Sequence, residues 1–226
     1  MGREFRQGFF DFLPVLAALM PIGLLLGTLA ASKGLSPLEI GLMSILVFAG
    51  SSQFVALELW RDPAPWALVG AAAFIVNLRF VLMNASLARS LAHVPPGLRA
   101  LIGWYVADEN WAFAERRAQS QRLTAAYCFG ITFPMVTLWT VCTVVGAIAG
   151  KAFGRPEAFG FDFAFSAVFI AIIAGFVKTR GTGLVLASSA LASALAKLYV
   201  PGAWYIIIGG LAGIGIAALM WQEEQS

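Results

Sequence analysis

The chain has 226 residues, 60% of them hydrophobic and only 12% charged, with a mean hydropathy of +0.82 and a formal net charge of +3. Charge at about half the usual share leaves too little polar surface to cover a soluble fold. A soluble domain is therefore excluded, and one polytopic membrane domain over residues 1–226 is expected. The basic residues are scattered through short loops, which suits anionic lipid leaflets rather than nucleic acid.

Apolar segments fall at about 12–31, 38–59, 65–91, 98–114, 123–149, 162–178, 183–199 and 202–221. Most approach the roughly 20 residues that span a bilayer as a helix. This predicts an all-α membrane bundle of seven or eight transmembrane segments. Arg3 and Arg6 precede the first apolar run, as in a secretory signal, but residues 12–31 exceed the usual apolar core of about 7–15 residues. We read it as a retained first transmembrane helix containing Pro14 and Pro21.

The second segment contains Phe48-Ala49-Gly50-Ser51-Ser52-Gln53-Phe54. Gly50, Ser51 and Ser52 weaken helix preference, and the Gln53 amide needs partners that lipid does not offer. A break in the helix is expected near Gly50–Gln53, because interrupted membrane helices expose backbone groups that hold substrates and ions. The alternative is a continuous helix joined to its neighbours by hydrogen bonds.

In the third segment, Asn77, Arg79 and Asn84 sit among apolar residues. A guanidinium at that depth costs roughly 2.5 kcal/mol or more unless it is paired or faces a cavity. Asn77 and Asn84 are seven residues apart and share a helix face, whereas Arg79 lies about 200° around from Asn77. Arg79 either snorkels to the surface or pairs inside the bundle with Asp108, Glu109 or Asp162.

Segment 98–114 carries Asp108, Glu109 and Asn110, and either spans while facing the interior or lies partly at the interface. Asp108 and Glu109 point about 100° apart on a helix, so one of them faces the core. Cys128 and Cys142 fall in one predicted helix about 21 Å apart along its axis, beyond disulfide reach. Asp162, between Phe161 and Phe163, is either a helix N-cap or a proton or ammonium site. The last two segments, separated by Val200-Pro201-Gly202, form a tight hairpin or one broken element.

Gly23 with Gly27, Gly146 with Gly150, and Gly209 with Gly213 have the spacing that lets membrane helices approach closely, within the chain or against another subunit. With eight spans, eight basic residues fall on the amino-terminal side and six on the other, a margin too small to orient the bundle. His93 has no metal-ligand companions at ligand spacing, and there is no phosphate-binding loop, zinc-protease motif or nucleophile elbow. No metal, cofactor or enzymatic chemistry is expected.

The residues Leu13-Pro14, Pro21-Ile22-Gly23, Phe48–Phe54, Asn77-Leu78-Arg79, Leu82-Met83, Ala85-Ser86-Leu87, Asp108-Glu109 with Trp111-Ala112, and Asp162-Phe163-Ala164, in this order, resemble the AzlC family. That family comprises the large subunits of branched-chain amino acid export permeases. Its members commonly have His after the Asn-Leu-Arg, where this chain has Phe80. The resemblance implies a secondary transporter in the bacterial plasma membrane. Its expected cargo is leucine, isoleucine, valine or methionine, and its expected partner a small AzlD-type membrane subunit.

Gly50, Ser51, Ser52, Gln53, Asn77, Arg79 and Asn84 are then the candidate substrate site. Asp108, Glu109 and Asp162 are the candidate proton carriers, with Asp162 preferred because Phe161, Phe163 and Phe165 surround it in sequence. A zwitterionic amino acid needs a cationic or N–H-rich place for its carboxylate and an acidic or carbonyl-rich place for its ammonium. The alternative function is a scaffold or assembly subunit that transports nothing.

Overall fold

The structure is a computed structural model that describes residues 2–61, 63–153, 180–200 and 204–225. Among these residues every regular element is a helix, with no strand. We number the helices α1 (Gly2–Ser32), α2 (Pro37–Leu46), α3 (Gly50–Leu59), α4 (Trp66–Ser90), α5 (Pro96–Trp104), α6 (Asp108–Ser120), α7 (Ala125–Phe153), α8 (Arg180–Tyr199) and α9 (Trp204–Gln225). α1, α4, α8 and the Ala125–Gly150 part of α7 are long and apolar enough to cross a bilayer. The chain is an integral membrane protein built as a polytopic helical bundle.

α1 continues through Pro14 and Pro21, as membrane helices can where neighbours re-satisfy the backbone. It packs along α7 in a parallel sense. Gly8 lies against Gly130, and further along the Thr28 hydroxyl donates to the Gly146 carbonyl at 3.2 Å. The seam is tight because both helices present glycines. A Cβ on Gly27 would strike the Thr143 carbonyl oxygen, and one on Gly146 the carbonyl oxygen of Leu24. Cys128 and Cys142 are buried and free in α7. The Gly23/Gly27 and Gly146/Gly150 pairs therefore serve packing within the chain.

Two apolar segments fold back on themselves. α2 starts with a capping box, in which the Ser36 hydroxyl accepts from the Glu39 N–H and the Glu39 carboxylate accepts from the Ser36 N–H. The chain leaves helix at Val47–Ala49 and re-enters it at Gly50. The expected break at Gly50–Gln53 thus lies just upstream, and those four residues form the first turn of α3. Small residues that weaken a helix interior are well tolerated at a helix start. The Gln53 amide donates to the Ser44 hydroxyl at 3.1 Å. One apolar groove is lined on the α2 side by Leu35, Glu39 and Met43 and on the α3 side by Ser52, Ala56 and Trp60. The two helices therefore run antiparallel, each about 15 Å long, half the roughly 30 Å of a hydrocarbon core.

Segment 98–114 does the same from the opposite end. Helix stops at Trp104 and resumes at Asp108. α5 runs antiparallel to α4, with Asn84 donating to the Gly103 carbonyl at 3.3 Å. α6 runs antiparallel to α7, from Asn110 beside Thr132 to Arg117 over the Tyr127 ring. The parallel sense of α1 and α7 requires an odd number of crossings between them. α4 supplies that crossing, with each hairpin returning to its own side.

This arrangement sorts the basic residues. Up to Phe153, the end holding the start of α1 carries Arg3, Arg6, Arg89, Arg99, Arg116, Arg117 and Arg122, and the opposite end carries Lys33, Arg61 and Lys151. Over the same residues eight simple spans would give six against four, so the bias sharpens to seven against three. Of the two alternatives for the last segments, α8 and α9 take the hairpin, with Gly209 against Ser189 and Ser193, and the Ser193 hydroxyl donating to the Tyr205 carbonyl at 3.1 Å.

Candidate functional site

The tips of the two hairpins meet inside the bundle. The Phe48 and Tyr105 rings touch with centroids 5.8 Å apart. Beside this contact is a cavity of about 70 Å³, room for several waters. Leu19, Phe48, Phe80, Met135 and Trp139 form its apolar walls; Gly50, Ser51, Arg79, Asp108 and Glu109 bring polar groups to it.

Arg79, on α4, joins the two tips. Its Nη1 lies 2.9 Å from Asp108 Oδ2, and its Nη2 donates to the Ser51 hydroxyl at 2.6 Å. Its Nε is buried without a hydrogen-bond partner. The Arg79 and Asp108 side chains are 35% and 43% exposed, so the pair borders open space rather than solid core. The snorkelling alternative is not taken.

Two helix starts converge here. α3 begins at Gly50 with no side-chain cap on its first N–H groups, and such a terminus favours anions through free donors and the helix dipole. α6 begins with Asp108 and Glu109. Asn110 ties its start: the carbonyl oxygen of its side chain accepts from the Ala107 N–H at 2.8 Å. Its NH₂ donates to the Tyr105 carbonyl at 2.8 Å and to the Thr132 hydroxyl at 3.1 Å.

The sequence candidates do not all meet at the cavity. Gly50, Ser51, Arg79, Asp108 and Glu109 come together at the cavity. Ser52 donates to the Asn77 side-chain oxygen, bracing α3 on α4. Gln53 is fully buried between Ser44 and Trp139. Asn84 turns to the backbone of Phe80 and Gly103, away from the cavity. Asp162 lies outside the described residues. Asn77 and Arg79 are about 200° apart around a helix, yet both reach α3, at the adjacent Ser52 and Ser51.

Sequence reasoning passed over Trp139, whose indole N–H donates to the Gln53 side-chain oxygen at 2.9 Å. It also passed over Tyr105, at the second tip. The run Asp108-Glu109-Asn110 signals a helix start, and that was the available clue to the second break.

The family model described as AzlC protein matches residues 14–153, which hold both hairpins and the whole cavity. An uncharacterized membrane protein of Archaeoglobus fulgidus is 27% identical, covering 92% of this chain and 92% of its own length. Inner membrane protein YgaZ of Escherichia coli K12 is 27% identical, covering 96% of this chain and 92% of its own. An uncharacterized membrane protein of Helicobacter pylori J99 is 23% identical, covering 98% and 96%. No solved structure matches the chain.

Proposed function

The chain belongs to the AzlC family, and from that premise we propose that it is a secondary transporter subunit exporting branched-chain or other hydrophobic amino acids. Leucine, isoleucine, valine and methionine are the candidate cargo. One observation carries the reading: the Arg79–Asp108 pair at the meeting point of two half-membrane hairpins, with a buried guanidinium N–H left unpartnered beside a cavity. A zwitterion inserts into this pair. Its carboxylate takes Arg79 and the open N–H groups of α3, and its ammonium takes Asp108. Charges are then balanced in both the empty and the loaded site, which avoids leaving an uncompensated ion in the bundle. Movement of the hairpin tips admits the substrate to the cavity between them.

The end rich in Arg faces the cytoplasm by the bias of basic residues. The α5–α6 hairpin then enters from the cytoplasm and α2–α3 from outside, each able to open the cavity to one side. The bacterial inner membrane is the location we assign, a small AzlD-type membrane protein the partner, and transport without enzymatic chemistry or cofactor the activity. Protons are the proposed coupling ion. Asp108 is committed to Arg79, whereas Glu109 lines the cavity outside that pair, which makes Glu109 our first choice of carrier and leaves Asp162 as the second.

The test is flux in proteoliposomes holding this chain and its small partner. Labelled leucine should move faster than in empty vesicles and respond to an imposed pH gradient. Glu109→Gln should keep leucine exchange while losing the response to the gradient. Flux equal to empty vesicles under every gradient would instead favour the scaffold alternative.

A further inference from the structure

We propose that Trp139 is the rigid wall that selects the size of the transported side chain, and that Gln53 positions it; this rests on the transporter reading. The cavity has two sides. Ser51, Arg79 and Asp108 hold charge near α4, and Leu19, Met135 and Trp139 line the side formed by α1 and α7. A bound amino acid with its charged head at Arg79 therefore directs its side chain toward α1 and α7. Leu19 and Met135 can change rotamer to accommodate it, methionine especially. Trp139 cannot.

The indole is fixed by a closed ring of hydrogen bonds. Its N–H donates to Gln53 at 2.9 Å, Gln53 donates to Ser44 at 3.1 Å, and the Ser44 and Thr143 hydroxyls bond at 3.0 Å. Thr143 is one turn from Trp139 on the same helix, so the ring closes on α7. Gln53, Ser44 and Thr143 are each fully buried, at 0% exposure. Turning the indole would strand buried donors and acceptors, which protein interiors avoid.

Opposite the indole stands Gly50. A Cβ built there would lie 3.2 Å from the Cζ2 and Cη2 atoms of Trp139. Gly50 thus packs directly on the indole edge and helps to set where the wall stands. Two substitutions should move the wall in opposite directions: Gly50→Ala crowds the indole by a few tenths of an ångström, and Trp139→Phe takes that edge away.

The experiment compares kcat/KM for valine, leucine and methionine in proteoliposomes with wild type, Gly50→Ala, Trp139→Phe and the double variant. Gly50→Ala should lower leucine and methionine relative to valine by about tenfold, the scale of one methylene in a fitted pocket. Trp139→Phe should raise methionine relative to valine by a similar factor, and the double variant should return toward the wild-type ranking. Gln53→Met, which frees the indole, should shift the ranking in the same direction as Trp139→Phe, a change that loss of stability alone does not produce. For any variant without flux, melting shifts induced by each amino acid in detergent give the same ranking. An unchanged ranking in both Gly50→Ala and Trp139→Phe overturns the inference while leaving wild-type transport standing. Absence of wild-type flux for all three amino acids overturns the transporter reading, and the inference with it.

Discussion

Arg79 and Arg117 each meet a carboxylate at close to 3 Å: 2.9 Å to Asp108 in one case and 3.0 Å to Glu4 in the other. Each also keeps a buried Nε without a partner. Their surroundings differ. Arg117 is 7% exposed, bonds Gln7 as well at 3.2 Å, and lies 4.7 Å over the Tyr127 ring. It ties together the start of α1, the end of α6 and the start of α7, where Thr124 donates to the same Glu4 carboxylate at 3.3 Å. Arg79 is five times more exposed and borders a cavity between two helix tips. An ion pair with a spare donor is therefore not by itself a binding site. In the proposed transporter, the space beside it makes the difference.

The strongest test of this contrast separates folding from flux. Arg79→Ala should lower leucine transport per folded molecule by about a hundredfold or more, the scale of losing a charged partner in a desolvated contact. Its melting in detergent should fall only slightly, by about 1 kcal/mol, because both side chains are partly open to solvent. Undiminished flux in Arg79→Ala would remove the carboxylate role assigned to this residue. Arg117→Ala should behave in the opposite way. It leaves Glu4 beside Gln7 and Thr124 but still 35% exposed, costing about 2 kcal/mol, between an exposed and a buried pair. Transport per folded molecule should stay near wild type. Equal effects of the two variants on melting and flux would erase the distinction between lock and site.

Much of this arrangement could be read from residues. Arg79 inside an apolar run had to find an acid, and Asp108 was among the named partners. Gly50-Ser51-Ser52 announced an interruption, displaced by only a few residues, because the composition that weakens a helix interior also suits its first turn. The hairpin geometry was not legible. An apolar segment of about 20 residues looks the same whether it crosses or doubles back; only the pairing of Ser44 with Gln53, and of α5 with α4, distinguishes them. The bias of basic residues was blurred for the same reason, since simple crossings in place of the hairpins put Arg89 and Arg99 on the wrong side, partly offset by Arg61. Arg117 sat in Glu115-Arg116-Arg117, a charge run that reads as solvated surface, yet its partner Glu4 lies 113 residues away. Trp139 carried no local signal, because its meaning comes from Gln53, on another helix.

The smallest expected effect lies with two adjacent serines that divide along the same line. Ser51 accepts from Arg79 Nη2 at 2.6 Å and faces the cavity, whereas Ser52 is buried and bonds Asn77. Ser51→Ala leaves the guanidinium held by Asp108 alone, so its aim at the substrate carboxylate loosens while the charge remains. One hydrogen bond contributes about 1 kcal/mol net, which corresponds to roughly a fivefold rise in leucine KM with kcat preserved. Ser52→Ala removes a bond of similar worth between α3 and α4 and leaves the half-buried Asn77 oxygen without that donor. It should lower melting by a similar free energy and leave KM alone. A KM rise in Ser52→Ala equal to that in Ser51→Ala would show that α3 transmits its anchorage to the site as a rigid body. The separation between the cavity face and the brace would then lie deeper than one turn of helix.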